Sequence, residues 1–181
     1  MSEITVAIRY AKSLIDLSVE QKALEAVNAD MEFFIRTIKA NSELKAVLEN
    51  PIIYHDKKIK VLDAIFGGKV SPVTIAFFKL MVNKNRAGII YPAALEFINQ
   101  YDVINNIVKA TVVSAAELSE ANKKTIIAEI QVSTKGTVQL ATKVNPALIG
   151  GFILTIGDMQ VDTSISSSLT KLKKEFSQAA V

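Results

Sequence analysis

Residues able to do chemistry are few in this chain, and none stands in a working constellation. Cysteine is absent and there is one histidine, His55. That removes a disulfide framework, cysteine metal sites, a thiol nucleophile and His-pair metal sites. His55 opens a helical stretch, with no nucleophile or second ligand placed beside it. Asp158 and Asp162 could form a carboxylate pair, but one sits in a Gly-Asp turn and the other just ahead of a helix start, where Asp serves turn geometry and the helix approach. Ser166-Ser167-Ser168 lies early in a helix with no base to activate it. Gly67-Gly68-Lys69 lacks the spacing and final Ser/Thr of a phosphate-binding loop and reads as a helix stop. Gly150, Gly151 and Gly157 do not spell the dinucleotide fingerprint, because a hairpin follows where that motif needs a helix. The expectation is a protein without catalytic residues, cofactor or metal.

Composition leaves room for binding instead. Of 181 residues, half are apolar and 22% charged, which is the balance of a folded globular chain and not of a disordered one. The formal net charge is only +3. Lysines gather at Lys57-Lys58-Lys60, Lys123-Lys124 and Lys171-Lys173-Lys174, each group on what reads as the solvated side of a helix. No exposed aromatics interleave with them, which argues against a nucleic-acid surface. Glu3, Arg9 and Lys12 interrupt any apolar core of a secretory signal. No run reaches the ~20 apolar residues of a membrane span, so the chain reads as soluble and intracellular, meeting a membrane only through a partner.

The elements fall into two groups. Residues 2–17, Val19 to Ala40, a short stretch to about Leu48, 55–66, 72–83 and Ile89 to Asn106 carry helical apolar stripes. Asn41 or Ser42 is suited to cap the third helix, and Ser71 with Pro72 opens the fifth. Two of the six are more apolar than a core requires. In the first, Ile4, Val6, Ala7, Ile8, Tyr10, Ala11, Leu14, Ile15 and Leu17 cover much of the circumference. In the fifth, Val73, Ile75, Ala76, Phe77, Phe78, Leu80, Met81 and Val82 run almost all round. Each is either sunk in its own bundle or keeps one side for a partner. After about Asn105-Asn106 the pattern changes. Lys109–Ala115 is strand-like, a helix runs from Leu118-Ser119 to about Val132 and is stopped at Lys135-Gly136, and Thr137–Val144 alternates as a second strand. The fold class is therefore α+β: a six-helix bundle over 1–105, then a small α/β domain over 106–181.

The last stretch, Asn145 to Phe176, reads as a turn, a strand, a Gly157-Asp158 hairpin, a returning strand and a helix capped by Ser164. Ile165, Leu169, Leu172 and Phe176 form one apolar stripe along that helix. The order Asn145-Pro146, Leu148-Ile149-Gly150-Gly151, Ile156-Gly157-Asp158, Asp162, Ser164-Ile165, Leu169 and Leu172 resembles the C-terminal signature of the F-type ATP synthase delta subunit family, which includes the oligomycin-sensitivity-conferring protein. Asn145 and Thr163 depart from the family's usual Asp and Gly. VAIRYAKSLIDLSVE near the start and FFKLMVNKNR at 77–86 resemble the family's first and fifth helices.

That resemblance implies a non-catalytic stator, or peripheral-stalk, subunit that holds the catalytic head against rotor torque during proton-driven ATP synthesis. It implies a groove between the first and fifth helices for the N-terminal helix of an alpha subunit, carried here by Ala7, Tyr10, Ala11, Leu14, Phe77, Leu80 and Lys84, although Leu14 and Phe77 would serve the core equally well. It implies that the second domain faces the C-terminus of the b subunit. The place implied is the cytoplasmic face of a bacterial inner membrane, as a peripheral protein. Composition and periodicity by themselves fit a generic adaptor for some other helical partner just as well.

Overall fold

Apolar positions at three- and four-residue steps build six helices in the first part of the chain: α1 Glu3–Glu20, α2 Leu24–Ala40, α3 Ser42–Glu49, α4 His55–Phe66, α5 Pro72–Asn83 and α6 Ile90–Ile104. A computed structural model describes residues 3–134 and 136–179. Ser2 and Lys135, named above as a helix start and a helix stop, lie outside the described residues. The chain divides into two compact units, Met1–Asp102 and Val103–Val181.

In the first unit the core is aromatic at its centre. Phe34 of α2, Phe66 of α4 and Phe78 of α5 are at most 1% exposed. Their ring centroids lie 4.7 Å (Phe34–Phe78), 5.4 Å (Phe34–Phe66) and 5.9 Å (Phe66–Phe78) apart, tilted or edge-on. Offset pairs of this kind add about 0.5–1.5 kcal/mol each beyond the area they bury. Ala11, Leu14 and Ile15 of α1 and Ile90, Ala94 and Phe97 of α6 extend the same core.

Two local rules set where α5 begins. Ser71 is its N-cap, with Oγ accepting from the Thr74 amide at 3.4 Å, and Pro72 follows at the first position. Behind the cap, the buried Asp30 carboxylate of α2 accepts from the Ser71 N–H and from the Thr74 hydroxyl, both at 2.8 Å. That ties the start of α5 to the middle of α2.

Three details differ from the sequence reading. The second helix begins at Leu24 and not Val19, because α1 runs on to Glu20 and closes with Lys22 in the left-handed region, φ 52°. Ala23 N–H donates to Ser18 O at 2.9 Å and Lys22 N–H to Val19 O at 3.1 Å, the paired closure of a Schellman turn formed here without glycine. Neither Asn41 nor Ser42 caps α3 through its side chain; the Asn41 amide instead donates to Thr37 O at 3.2 Å, closing α2. Lys58 is not on a solvated face. It is 5% exposed, and its ammonium donates to Leu48 O, in the last turn of α3, at 2.8 Å. Burial pushes that group below its ordinary 10.5, while the orphan carbonyl gains a donor.

The second unit holds a four-stranded sheet in the order β2-β1-β3-β4. β1 (Ile107–Ser114) runs parallel to β2 (Thr137–Val144) through the crossover helix α7 (Glu120–Thr134), and antiparallel to β3 (Phe152–Ile156). β3 turns through Gly157-Asp158 into β4 (Met159–Asp162), and α8 (Ile165–Ala179) ends the chain's described part. Gly157 has φ +55° at the first central position of the two-residue loop, as a type II′ turn requires. Register puts Val108, Ala110 and Val112 on one face with Val138 and Leu140 of β2 and Leu154 and Ile156 of β3, and Ile126 and Ile130 of α7 pack on that face.

Candidate partner-binding groove

Tyr10, Leu14 and Leu17 of α1 fall at steps of four and three, so they share one side of the helix, and Gln21 follows just past its end. Val73, Ala76, Phe77 and Leu80 do the same on α5. Together with Ser13 these residues line a groove of about 350 Å³, apolar for almost its whole length. Ser71, Pro72 and Asp30 fix the start of its α5 wall, and the Schellman turn at Lys22 fixes the end of its α1 wall.

Of the residues singled out from the sequence, Tyr10, Leu14, Phe77 and Leu80 are brought together here. Leu80 is 47% exposed, whereas Leu14 is 3% exposed and serves wall and core at once. Tyr10 and Phe77 meet edge-on across the groove, 6.4 Å between centroids. Ala7 and Ala11 are buried at 2% and 0% on the inner side of α1. Lys84 is exposed at the C-cap of α5 and is not among the lining residues. Leu17, Val73 and Ala76, named above only within the over-apolar faces and not in the groove set, line it as well. The wheel through Tyr10 and Leu14 would have found Leu17.

The groove stops at a polar end. Arg86, just past α5, donates from Nη1 to the Tyr10 hydroxyl at 2.8 Å, and its guanidinium carbon lies 5.4 Å from the Tyr10 ring centroid. The same two residues, with Val6, Arg9 and Ser13, line an adjoining cavity of about 230 Å³.

A second apolar surface lies in the other unit. The α8 stripe found in the sequence is present but uncovered: Ile165, Leu169, Leu172 and Phe176 are 47%, 51%, 47% and 73% exposed. Gly150-Gly151 lets the start of β3 close against the residues before α8. A Cβ on Gly151, where φ is +74°, would stand 2.3 Å from Thr163 O. The Ile165 N–H donates to Gly150 O at 3.0 Å. Asp162 then receives the Ser167 hydroxyl at 2.6 Å and the Ser164 N–H at 2.8 Å, and these bonds hold its carboxyl below the ordinary 3.8. Both Asp162 and the Ser164 cap thus serve the helix approach; the Ser164 hydroxyl accepts from Ser167 N–H at 3.3 Å. His55, first residue of α4, is exposed, with Nε2 3.4 Å from the Asn85 side-chain oxygen. Among the described residues no group of three His, Cys, Asp or Glu could hold a metal ion, and no helix is long and apolar enough to cross a membrane.

The first unit is thus a helix bundle with an open apolar groove, and the second a sheet unit with an uncovered helix stripe. The family model for the ATP synthase delta (OSCP) subunit matches residues 6–176. The chain belongs to that family. It is 38% identical to the ATP synthase subunit delta of Cytophaga hutchinsonii, over the whole of this chain and 99% of that one. It is 36% identical to the subunit delta of Amoebophilus asiaticus, over 98% and 97%, and 33% to that of Flavobacterium johnsoniae, over 98% and 99%. A chain in the cryo-EM structure of the Toxoplasma gondii mitochondrial ATP synthase hexamer shares the fold, with a TM-score of 0.70 and 20% identity over 94% of this chain and 96% of that one.

Proposed function

We propose that this protein is a non-catalytic stator subunit of an F-type ATP synthase, a peripheral-stalk component that resists rotor torque on the catalytic head. The observation that carries the reading is the α1–α5 groove. Leu80 and Leu17 are 47% and 40% exposed within a wall that Tyr10, Phe77 and Val73 continue, and a helix-in-groove contact needs such surface. The occupant is the N-terminal helix of the alpha subunit, with its apolar side on Tyr10, Leu14, Phe77 and Leu80. Ala7 and Ala11 contribute by bringing α1 close to the core behind the wall, while Lys84, exposed at the C-cap of α5, lies outside the lining. The first unit then sits on the head, and the second takes the C-terminus of the b subunit along the α8 stripe. The complex carries the chain to the cytoplasmic face of a bacterial membrane. Several simultaneous attachments of this kind give the slow release that a static anchor requires.

Calorimetric titration of the full chain with a synthetic peptide of about 20 residues from the alpha-subunit N-terminus, long enough for a bound helix, tests the groove. One-to-one binding that is lost in Tyr10→Ala and Leu80→Asp is the expected result. A folded protein that binds neither this peptide nor the assembled alpha/beta head would overturn the reading.

A further inference from the structure

The polar end of the groove has a chemistry that its apolar walls do not need. Tyr10 and Ser13 line both the groove and the adjoining cavity, so one surface is continuous through them. Two of the five residues lining that cavity are arginines, and none is acidic. Arg86 is held there from both ends. Its backbone closes α5, with Arg86 N–H donating to Met81 O at 2.9 Å and Asn85 N–H to Val82 O at 2.9 Å, while Asn85 takes a positive φ of 58°. Its guanidinium is braced by the Tyr10 hydroxyl and ring face. One of five N–H donors is used in that bond. A guanidinium fixed in this way loses little freedom on binding, and its planar fork matches a carboxylate in two parallel hydrogen bonds.

We propose that this pocket is a carboxylate subsite. The helix lying in the groove sets its apolar side on Leu14, Leu17, Phe77 and Leu80 and places an Asp or Glu side chain on Arg86. A free anion would satisfy Arg86 but not the groove, and an uncharged apolar helix the reverse. An acidic amphipathic helix satisfies both. The inference rests on the groove reading and adds the charge its partner must carry and the place where that charge lands.

The test uses the full chain and two peptides: the first ~20 residues of the same organism's alpha subunit, a length sufficient for a stable bound helix, and the same peptide with every Asp and Glu replaced by Asn and Gln. Arg86→Gln should weaken the acidic peptide by roughly three- to tenfold at about 50 mM salt, the range for a well-placed charge pair at a surface. The loss should shrink at about 0.5 M salt, where the Debye length falls to a few ångströms. Arg86→Lys should recover part of it, and Arg86→Gln should change binding of the amide peptide little. Equal loss for both peptides would reduce Arg86 to a brace for Tyr10 and overturn the subsite. Wild-type binding unaffected by Arg86→Gln would overturn it while leaving the groove intact, as would an alpha-subunit segment without acidic residues. Binding of neither peptide by the wild-type chain would bring down the groove reading and the subsite with it.

Discussion

Arg86 Nη1 and the Tyr10 hydroxyl, 76 residues apart in the chain, meet at 2.8 Å across the mouth of the groove. The bond links α1 to the turn behind α5 at a point where the two helices leave a channel between them. Tyr10 is also edge-on to Phe77. One residue therefore carries an apolar contact on one side and a charged one on the other.

Neighbouring residues of α5 should separate binding from folding. Leu80→Asp changes an exposed side chain and is expected to alter unfolding free energy by no more than about 0.5 kcal/mol, while weakening alpha-peptide binding at least about tenfold. Phe78→Ala empties the aromatic centre of the bundle and should cost about 3–5 kcal/mol. Denaturant unfolding followed by far-UV circular dichroism, with peptide titration of each variant, measures both. A Leu80→Asp protein as unstable as Phe78→Ala would show that Leu80 belongs to the core.

Asp30→Ala removes the acceptor shared by Ser71 N–H and Thr74 Oγ1 and leaves donors behind it in a closed site. The expected loss is about 1–3 kcal/mol, the cost of unpaired buried polar groups. Faster amide exchange confined to the first turn of α5 should accompany it. Unchanged protection at Thr74 and Ile75 would show that Ser71 fixes the start of α5 unaided.

Leu148, Ile149 and Gly150 form the positive-φ form of the γ-turn. Ile149 has φ 66° and ψ −41°, and Gly150 N–H donates to Leu148 O at 2.7 Å. This conformation is strained for any L-residue and most of all for a β-branched one. Ile149→Gly should therefore stabilise the second unit by about 1 kcal/mol, strain relief outweighing the added freedom of the unfolded chain. A lower denaturation midpoint would mean that the Ile149 side chain contributes more than its backbone costs.

The Asp162 carboxyl is lowered first by the Ser167 hydroxyl and next by the Ser164 N–H. A lowered folded value means that its stabilising contribution is complete above the unfolded value and is lost as pH falls through the folded one. The start of α8 should hold at neutral pH and loosen only below the ordinary 3.8. A carboxyl NMR titration of the full chain should place the Asp162 midpoint under that value, and Asp162→Asn should remove the acid-dependent loss. A midpoint at or above 3.8 would contradict the bonding described.

The α2 stripe of Val27, Met31, Phe34 and Ile38 and the alternation of β1 were legible because each is a clean apolar period, and α5, apolar almost all round, was legible from its Ser71-Pro72 opening. The place of the break between α1 and α2 was not, because Lys22 takes the left-handed turn position that sequence reading assigns to Gly or Asn. Lys58 was misread for a related reason. Its spacing suits the outer face of α4, and only the neighbouring end of α3 turns it inward. For the groove, composition showed that α1 and α5 have apolar surface to spare and left open whether a partner covers it. Which side chains stay uncovered depends on how the helices pack, and the Tyr10–Arg86 pair depends on a contact no local pattern encodes. The stripe of α8 was read correctly as a stripe, but period alone does not say that it is uncovered.

The groove also makes the first unit's stability a property of its surroundings. With α1 and α5 held apart over Leu17, Val73 and Leu80, the six helices enclose less apolar surface than their sequences supply, and whatever fills the channel acts as a seventh stave. Ligand binding to the folded state alone adds RT ln(1 + [L]/Kd), about 2.7 kcal/mol at a hundredfold excess over Kd. The melting temperature should accordingly rise with the concentration of an occupying helix. Subunit made in excess of its partners would then be the species most readily unfolded and degraded, so that the amount of this protein follows the amount of the chain that fills its groove.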